Sequence, residues 1–294
     1  MKKNLNEVLA LLPGYSAGML GQFEQARELA AKMSEERKAE LKQENSDWLE
    51  IGKDYVRGVL SLYFNQREAM AVEDGIARIH VKGFLASGLS FIESCTEASD
   101  YRAVQKELRQ AAEDPTVSGI LLRIDSPGGS VVGCLETAQI VASISKPVSA
   151  HIQSLGGSAA YFIASGAQAI YSNETAFVGS IGTIATFMDY AGFLENAGIT
   201  PHIFTSPGAD MKASGNQYRT PTEAEKEDME EVVREYGDQF LSFVLSRREV
   251  SPEVLRGNAV SGRQAPGFGL TDGIATEAEV IEELHALVDA AKLP

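Results

Sequence analysis

Cysteine is nearly absent from this 294-residue sequence: Cys95 and Cys134 are the two present, with no metal-ligand spacing and no disulfide framework of the kind small secreted domains need. They read as ordinary buried thiols in a reducing compartment. Histidine is almost as scarce. His80 falls in an early strand pattern, His151 ends another, His202 starts a third and His285 lies in the terminal helix, so none stands in a loop suited to a Ser-His-Asp triad. Basic charge is also short, with 26 Lys and Arg against 41 Asp and Glu and a formal net charge of −15. Without clustered cations the chain has no surface to neutralise a phosphate backbone, which excludes nucleic acid as a partner. Long apolar runs are missing too. Those near Gly119 and Val178 are strand-sized, and the leucine-rich start after Lys2 and Lys3 is interrupted by Asn6 and Glu7 before it reaches the length of a signal peptide. The expectation is a cytoplasmic protein with no membrane span.

What is present is an ordinary globular composition, 44% hydrophobic and 23% charged, enough for a sizeable core. From Leu20 to about Arg67 apolar residues recur at helical spacing and are followed by interleaved Glu and Lys, which predicts a helical N-terminal arm over 1–74 that either packs one face on the body or docks elsewhere. Asp74-Gly75 is a turn signal, and the folded body is expected from 75 to 294. Strand patterns at Ile76–Val81, Gly119–Ile124, Val148–Ile152 and Ala169–Tyr171 alternate with helical patterns at Tyr101–Ala112, Val132–Ile144 and Ser158–Gly166. That alternation is the mark of βαβ units, so the fold class is α/β. Further on the sequence predicts a helix at Tyr190–Ala197, a strand at His202–Thr205, a loop rich in Gly, Ser and Pro, and a long helix at Thr222–Arg248 opened by a capping sequence. Val232, Val233, Tyr236, Phe240, Phe243 and Val244 form its apolar face.

Three segments carry candidate chemistry. Ser158 follows a strand, opens a helix and is flanked by Gly157, Ala159 and Ala160, so its hydroxyl is unobstructed and helix N–H groups are at hand for an oxyanion. The same residues also make a good close-packed helix start. Ser126-Pro127-Gly128-Gly129 lies at the carboxyl end of a central strand, where open α/β sheets bind ligands, and reads either as an oxyanion donor or as a plain turn. Lys212 is the sole basic residue between Phe187 and Tyr218. A lysine can serve as general base when burial disfavours its ammonium form, and otherwise is a solvated loop residue.

The order and spacing of these segments resemble the signal peptide peptidase A family and its relatives, the prohead proteases of tailed phages. The resemblance covers roughly Gly75 to Leu284. Asp125-Ser126-Pro127-Gly128-Gly129 looks like the family's oxyanion segment, Gly157-Ser158-Ala159-Ala160-Tyr161 its nucleophile segment, Val178-Gly179-Ser180-Ile181-Gly182 its Gly-Ser-hydrophobic-Gly motif, and Lys212-Ala213-Ser214-Gly215-Asn216 its lysine motif. Gly269-Leu270-Thr271-Asp272-Gly273 resembles its closing turn. The resemblance implies a ClpP/crotonase-like core and a serine endopeptidase with Ser158 as nucleophile, Lys212 as general base and Ser180 holding the lysine. It implies oxyanion donors at Gly128 or Gly129 and at Ala159, and no metal or organic cofactor. It also implies a homo-oligomer with sites near subunit interfaces. Because no anchor is apparent, the expected substrates are phage scaffold or capsid precursors, in host cytoplasm or prohead, or signal-peptide-like apolar segments. Two other functions remain to be separated from this one: a catalytically silent scaffold on the same fold, and a crotonase-like acyl-CoA enzyme with no serine nucleophile.

Overall fold

The computed structural model describes residues 70–89 and 98–291. The helical arm up to residue 69, and Cys95, lie outside them. The sheet starts just ahead of the expected turn: β1 (Ala71–Glu73) folds back antiparallel on β2 (Ile76–Ala86). Between them Asp74 and Gly75 have φ of 50° and 76°, the positive pair that a tight hairpin of matching twist requires.

From β2 the chain passes through β3 (Ala98–Asp100), α1 (Tyr101–Glu113), β4 (Gly119–Gly129), α2 (Cys134–Ser143), β5 (Val148–Gly157), α3 (Ala159–Ala164) and β6 (Ala169–Ser172). β2, β4, β5 and β6 are neighbours and parallel, with Ile79 opposite Leu122, Leu122 opposite Ala150, and Ile152 opposite Ser172. Both faces of this sheet are covered, which is why its strands read as nearly continuous apolar runs. The helices α1 to α3 bury Val104, Leu108, Val141, Tyr161 and Ile163 on one face. On the other, α6 (Glu277–Ala291) sets Val280, Leu284 and Val288 against Ile76 and Leu121. The α/β class with a parallel sheet is therefore as expected. β7 (Phe177–Gly179) pairs with the end of β5 and with β8 (Ala259–Ser261), and β9 (Gly273–Ile274) adds to β6.

Three elements differ from the sequence reading. β4 and β5 continue past Ile124 and Ile152 to Gly129 and Gly157, so Ser126–Gly129 is strand rather than turn; polar and glycine residues gave no alternation to extend. The register shift between Ile124 and Ser126 marks where the signal ends. His202–Thr205 is not a strand, because no strand among the described residues pairs with it. The long helix α5 (Glu223–Leu245) has its capping box, yet its apolar face packs only in the last turns: Phe240 and Val244 are buried, whereas Val232 is 39% and Tyr236 36% exposed. The helix outruns the surface available to cover it. Between β7 and α5 the chain makes an excursion that contains α4 (Ala191–Asn196) and is exposed along most of its length, leaving Ile184 89% and Phe204 91% accessible.

Candidate active site

The strand extensions bring the first two candidate segments into contact. The tail of β4 lies against the end of β5 so closely that a Cβ on Gly128 would stand 2.8 Å from both the Gly157 carbonyl oxygen and Ser158 Cβ. One on Gly129 would overlap the Leu85 carbonyl of β2 at 1.9 Å. Glycine is therefore demanded at both positions, and Gly128 also has φ of 106°. Ser126, fully buried, ties the tail down by donating to the Gly83 carbonyl at 2.6 Å and accepting the Gly128 N–H at 3.1 Å. That bond commits the Gly128 N–H. The Ser130 N–H points to β2, bonding Leu85 O at 2.7 Å; since successive N–H groups of an extended chain alternate in direction, that of Gly129 points the other way.

Ser158 itself joins β5 to α3 with φ 50° and ψ −122°, a backbone state that a non-glycine residue occupies under strain. Among the described residues it shares positive φ with only two other non-glycines, Asp74 and Ser180 (φ 55°). Its N–H donates to the Gly179 carbonyl at 2.8 Å, so β7 holds it from the side. Ser180 follows directly, its N–H bonded to Asn258 O at 2.9 Å. Ala159 opens α3, and its N–H has no intrahelical acceptor. Ser158, Gly128, Gly129, Ala159 and the Ser180 turn thus converge.

Beside Ser158 opens a cavity of about 250 Å³. Gly129, Val132, Cys134, Ala159, Phe162 and Phe240 give it an apolar lining, with Tyr236 and Gln239 of α5 adding polar tips. Phe162 and Phe240 stack face to face with centroids 4.4 Å apart, which fixes α5 against α3. Cys134 is free and buried, and burial pushes its thiol up to about 12, leaving a small apolar wall rather than a second nucleophile. From sequence, Phe162 and Phe240 were indistinguishable from core residues, since the face they line is set only when the two helices meet.

Lys212 is placed differently. It lies in a single 3-10 turn, Asp210–Ala213, exposed and outside the cavity lining. The turn is joined to the start of α5, where Arg219 pairs with the buried carboxylate of Glu225. None of the histidines lines the cavity. His151 is buried in β5 with Nε2 3.0 Å from the Ala275 carbonyl, and desolvation holds its pKa below the usual imidazole value. The closing turn is a structural clasp: Tyr161 of α3 donates to Leu270 O at 2.9 Å, and Asp272 accepts from Ile170 N at 2.7 Å and from Arg248 at 3.0 Å.

A strained serine between a strand and a helix, faced by a glycine strand end and an apolar cavity, agrees with the result of sequence comparison, in which Peptidase family S49 matches residues 141–291, just over half of the chain. The chain belongs to this family. Capsid assembly protease C of Escherichia phage lambda is 30% identical over 232 residues, covering 77% of this chain and 52% of its own length. The putative signal peptide peptidase SppA of Enterococcus faecium is 28% identical over 250 residues, covering 80% of this chain and 72% of its own. The S49 chain described here thus spans about half the length of the phage relative. The resemblance read from the motifs, including its phage branch, is borne out by these matches. Among solved structures, an enoyl-CoA hydratase from Mycobacterium avium subsp. paratuberculosis aligns at 15% identity with a TM-score of 0.42, covering 75% of this chain and 74% of that one. Among the described residues no helix is long and apolar enough to cross a membrane, and no cluster of side chains could hold a metal ion.

Proposed function

We propose that this S49 member is a serine endopeptidase using a Ser158/Lys212 dyad. The observation that carries the reading is the strained Ser158 held between the Gly128–Gly129 strand end and the apolar cavity. Lys212 takes the Ser158 proton as general base while Oγ attacks the scissile carbonyl. The tetrahedral oxyanion is held by the N–H groups of Gly129 and Ala159, each worth on the order of 3 kcal/mol. Collapse expels the amine, which receives the proton from Lys212, and water then releases the acyl group by the same route. Ser180 orients the lysine, and the cavity takes an apolar side chain of the substrate. The phage relative's name, capsid assembly protease, makes scaffold or capsid precursors the substrates we favour.

The lysine comes from a neighbouring copy of the chain. Two observations support this. Lys212 is anchored at the start of α5, and Glu225 there lies about 16 Å along the helix axis from cavity-lining Tyr236. The excursion that carries the lysine also leaves Phe193 and Phe204 uncovered, apolar surface that a second copy would bury.

The test is cleavage of an unfolded, Ala-rich protein by wild type, Ser158→Ala and Lys212→Ala, with assembly checked for each and Ser158 labelled by a fluorophosphonate. Cleavage and labelling by wild type alone are expected. Unchanged cleavage by either assembled variant removes that residue from the mechanism. Normal assembly without cleavage by any of the three points to a silent scaffold, and absence of labelling points to acyl-CoA chemistry.

A further inference from the structure

The turn that bears Lys212 is exposed on most sides, and the structure shows what holds it. Ala213, at its end, is buried, and its carbonyl accepts from Arg219 Nη2 at 3.4 Å. Ser214 Oγ reaches Glu225 Oε1 at 3.5 Å. Glu225 is 5% exposed although it lies in the first turn of a helix whose next residues face solvent. Its carboxylate accepts from Nη1 of Arg219 at 2.8 Å, from Nη2 of the same guanidinium, and from the Thr222 N–H at 2.8 Å. A capping box needs only Thr222 and Glu225; Arg219, bound to the same carboxylate and to the lysine turn, is an addition to it.

We propose that Arg219 and Glu225 are positioning residues for Lys212, joining the Asp210–Ala213 turn to the rigid start of α5 so that the lysine is presented at a fixed place. The inference rests on Lys212 being the base. A planar guanidinium bound through two nitrogens fixes direction as well as distance, and a paired carboxylate this deeply buried does not release it at neutral pH. Neither residue touches substrate. Arg219 acts through the Ala213 carbonyl, and Glu225 through Arg219 and the Ser214 hydroxyl.

The experiment compares fluorophosphonate labelling rates of Ser158 in assembled wild type, Lys212→Ala, Glu225→Gln, Arg219→Ala, Arg219→Lys and the double variant Glu225→Gln/Lys212→Ala. Misplacing a catalytic group by about 1 Å costs on the order of 100-fold, so Glu225→Gln and Arg219→Ala are expected to slow labelling by about 10- to 100-fold. Arg219→Lys should recover part of that loss. In the Lys212→Ala background, Glu225→Gln should change the rate by less than about 2-fold, because two substitutions acting through one group are not additive. A loss that persists in that background means a merely structural role and overturns the proposal. So does a wild-type rate in Glu225→Gln beside a slow Lys212→Ala. A wild-type rate in Lys212→Ala instead overturns the dyad on which the proposal rests. If Glu225→Gln does not assemble, Arg219→Lys alone and combined with Lys212→Ala makes the same comparison.

Discussion

At Ser158 and Gly128 the backbone conformation is constrained by what it places together. A serine at φ 50° carries on the order of 1 to 3 kcal/mol of strain, and glycine at the same position carries none. Ser158→Gly and Ser158→Ala should therefore both abolish labelling, with Ser158→Gly the more stable of the two by about 1 kcal/mol in urea denaturation. Equal midpoints would show that the turn is relaxed. Gly128→Ala is expected to act in the opposite direction on stability. Its Cβ would press on Ser158 Cβ from 2.8 Å at a φ of 106°, so a loss on the order of 100-fold in kcat should accompany destabilisation by about 1 to 3 kcal/mol. Normal turnover in that variant would mean that the strand tail can move away without effect on catalysis.

At the scale of elements, α5 links two functions. Its last turns wall the cavity through Phe240 and Gln239, and its first turn holds the lysine loop through Glu225. Bonding to Arg219 first, and then to the Thr222 N–H, holds the Glu225 pKa down to about 2 from an ordinary 4.5. Because the folded value lies below the unfolded one, this contribution to stability is complete above about pH 4.5 and is lost as pH falls towards 2. Amide protection in the 206–222 loop, taken relative to the intrinsic exchange rate at each pH, should fall over that interval in wild type, and Glu225→Gln should show weak protection at every pH. Equal acid sensitivity in the two would mean that other carboxylates govern the loop.

At the scale of the molecule, a site shared between copies has a distinct signature. Mixing Ser158→Ala with Lys212→Ala and allowing subunits to exchange should restore activity, approaching about a quarter of wild type if each site takes one residue from each of two neighbours at random. Activity per chain should also fall on dilution. No recovery after demonstrated exchange would mean that each chain uses its own lysine. Replacing Phe204 or Phe193 by Asp should weaken assembly and activity together, as seen by sedimentation and cleavage, since both side chains stand largely exposed on a single chain and neither lines the cavity.

The sequence by itself determined the alternation of strands and helices, because a parallel sheet covered on both faces must be written as short apolar runs separated by amphipathic helices. It also determined the segments around Ser158 and Gly128–Gly129, where only small residues allow the backbone to approach, and the capping box at Thr222, which is a local pattern. The tertiary structure decided the rest. Only the packing of β4 on β5 made Ser126–Gly129 a strand end with the Gly128 N–H already bonded. Only the meeting of α3 and α5 turned Phe162 and Phe240 from core candidates into a cavity wall. The segment His202–Thr205 has the residues of a strand but no partner strand among the described residues, and pairing is what makes a strand. Arg219 gave no signal at all, since a long-armed cation in a polar loop acquires its meaning only from the buried carboxylate that it reaches.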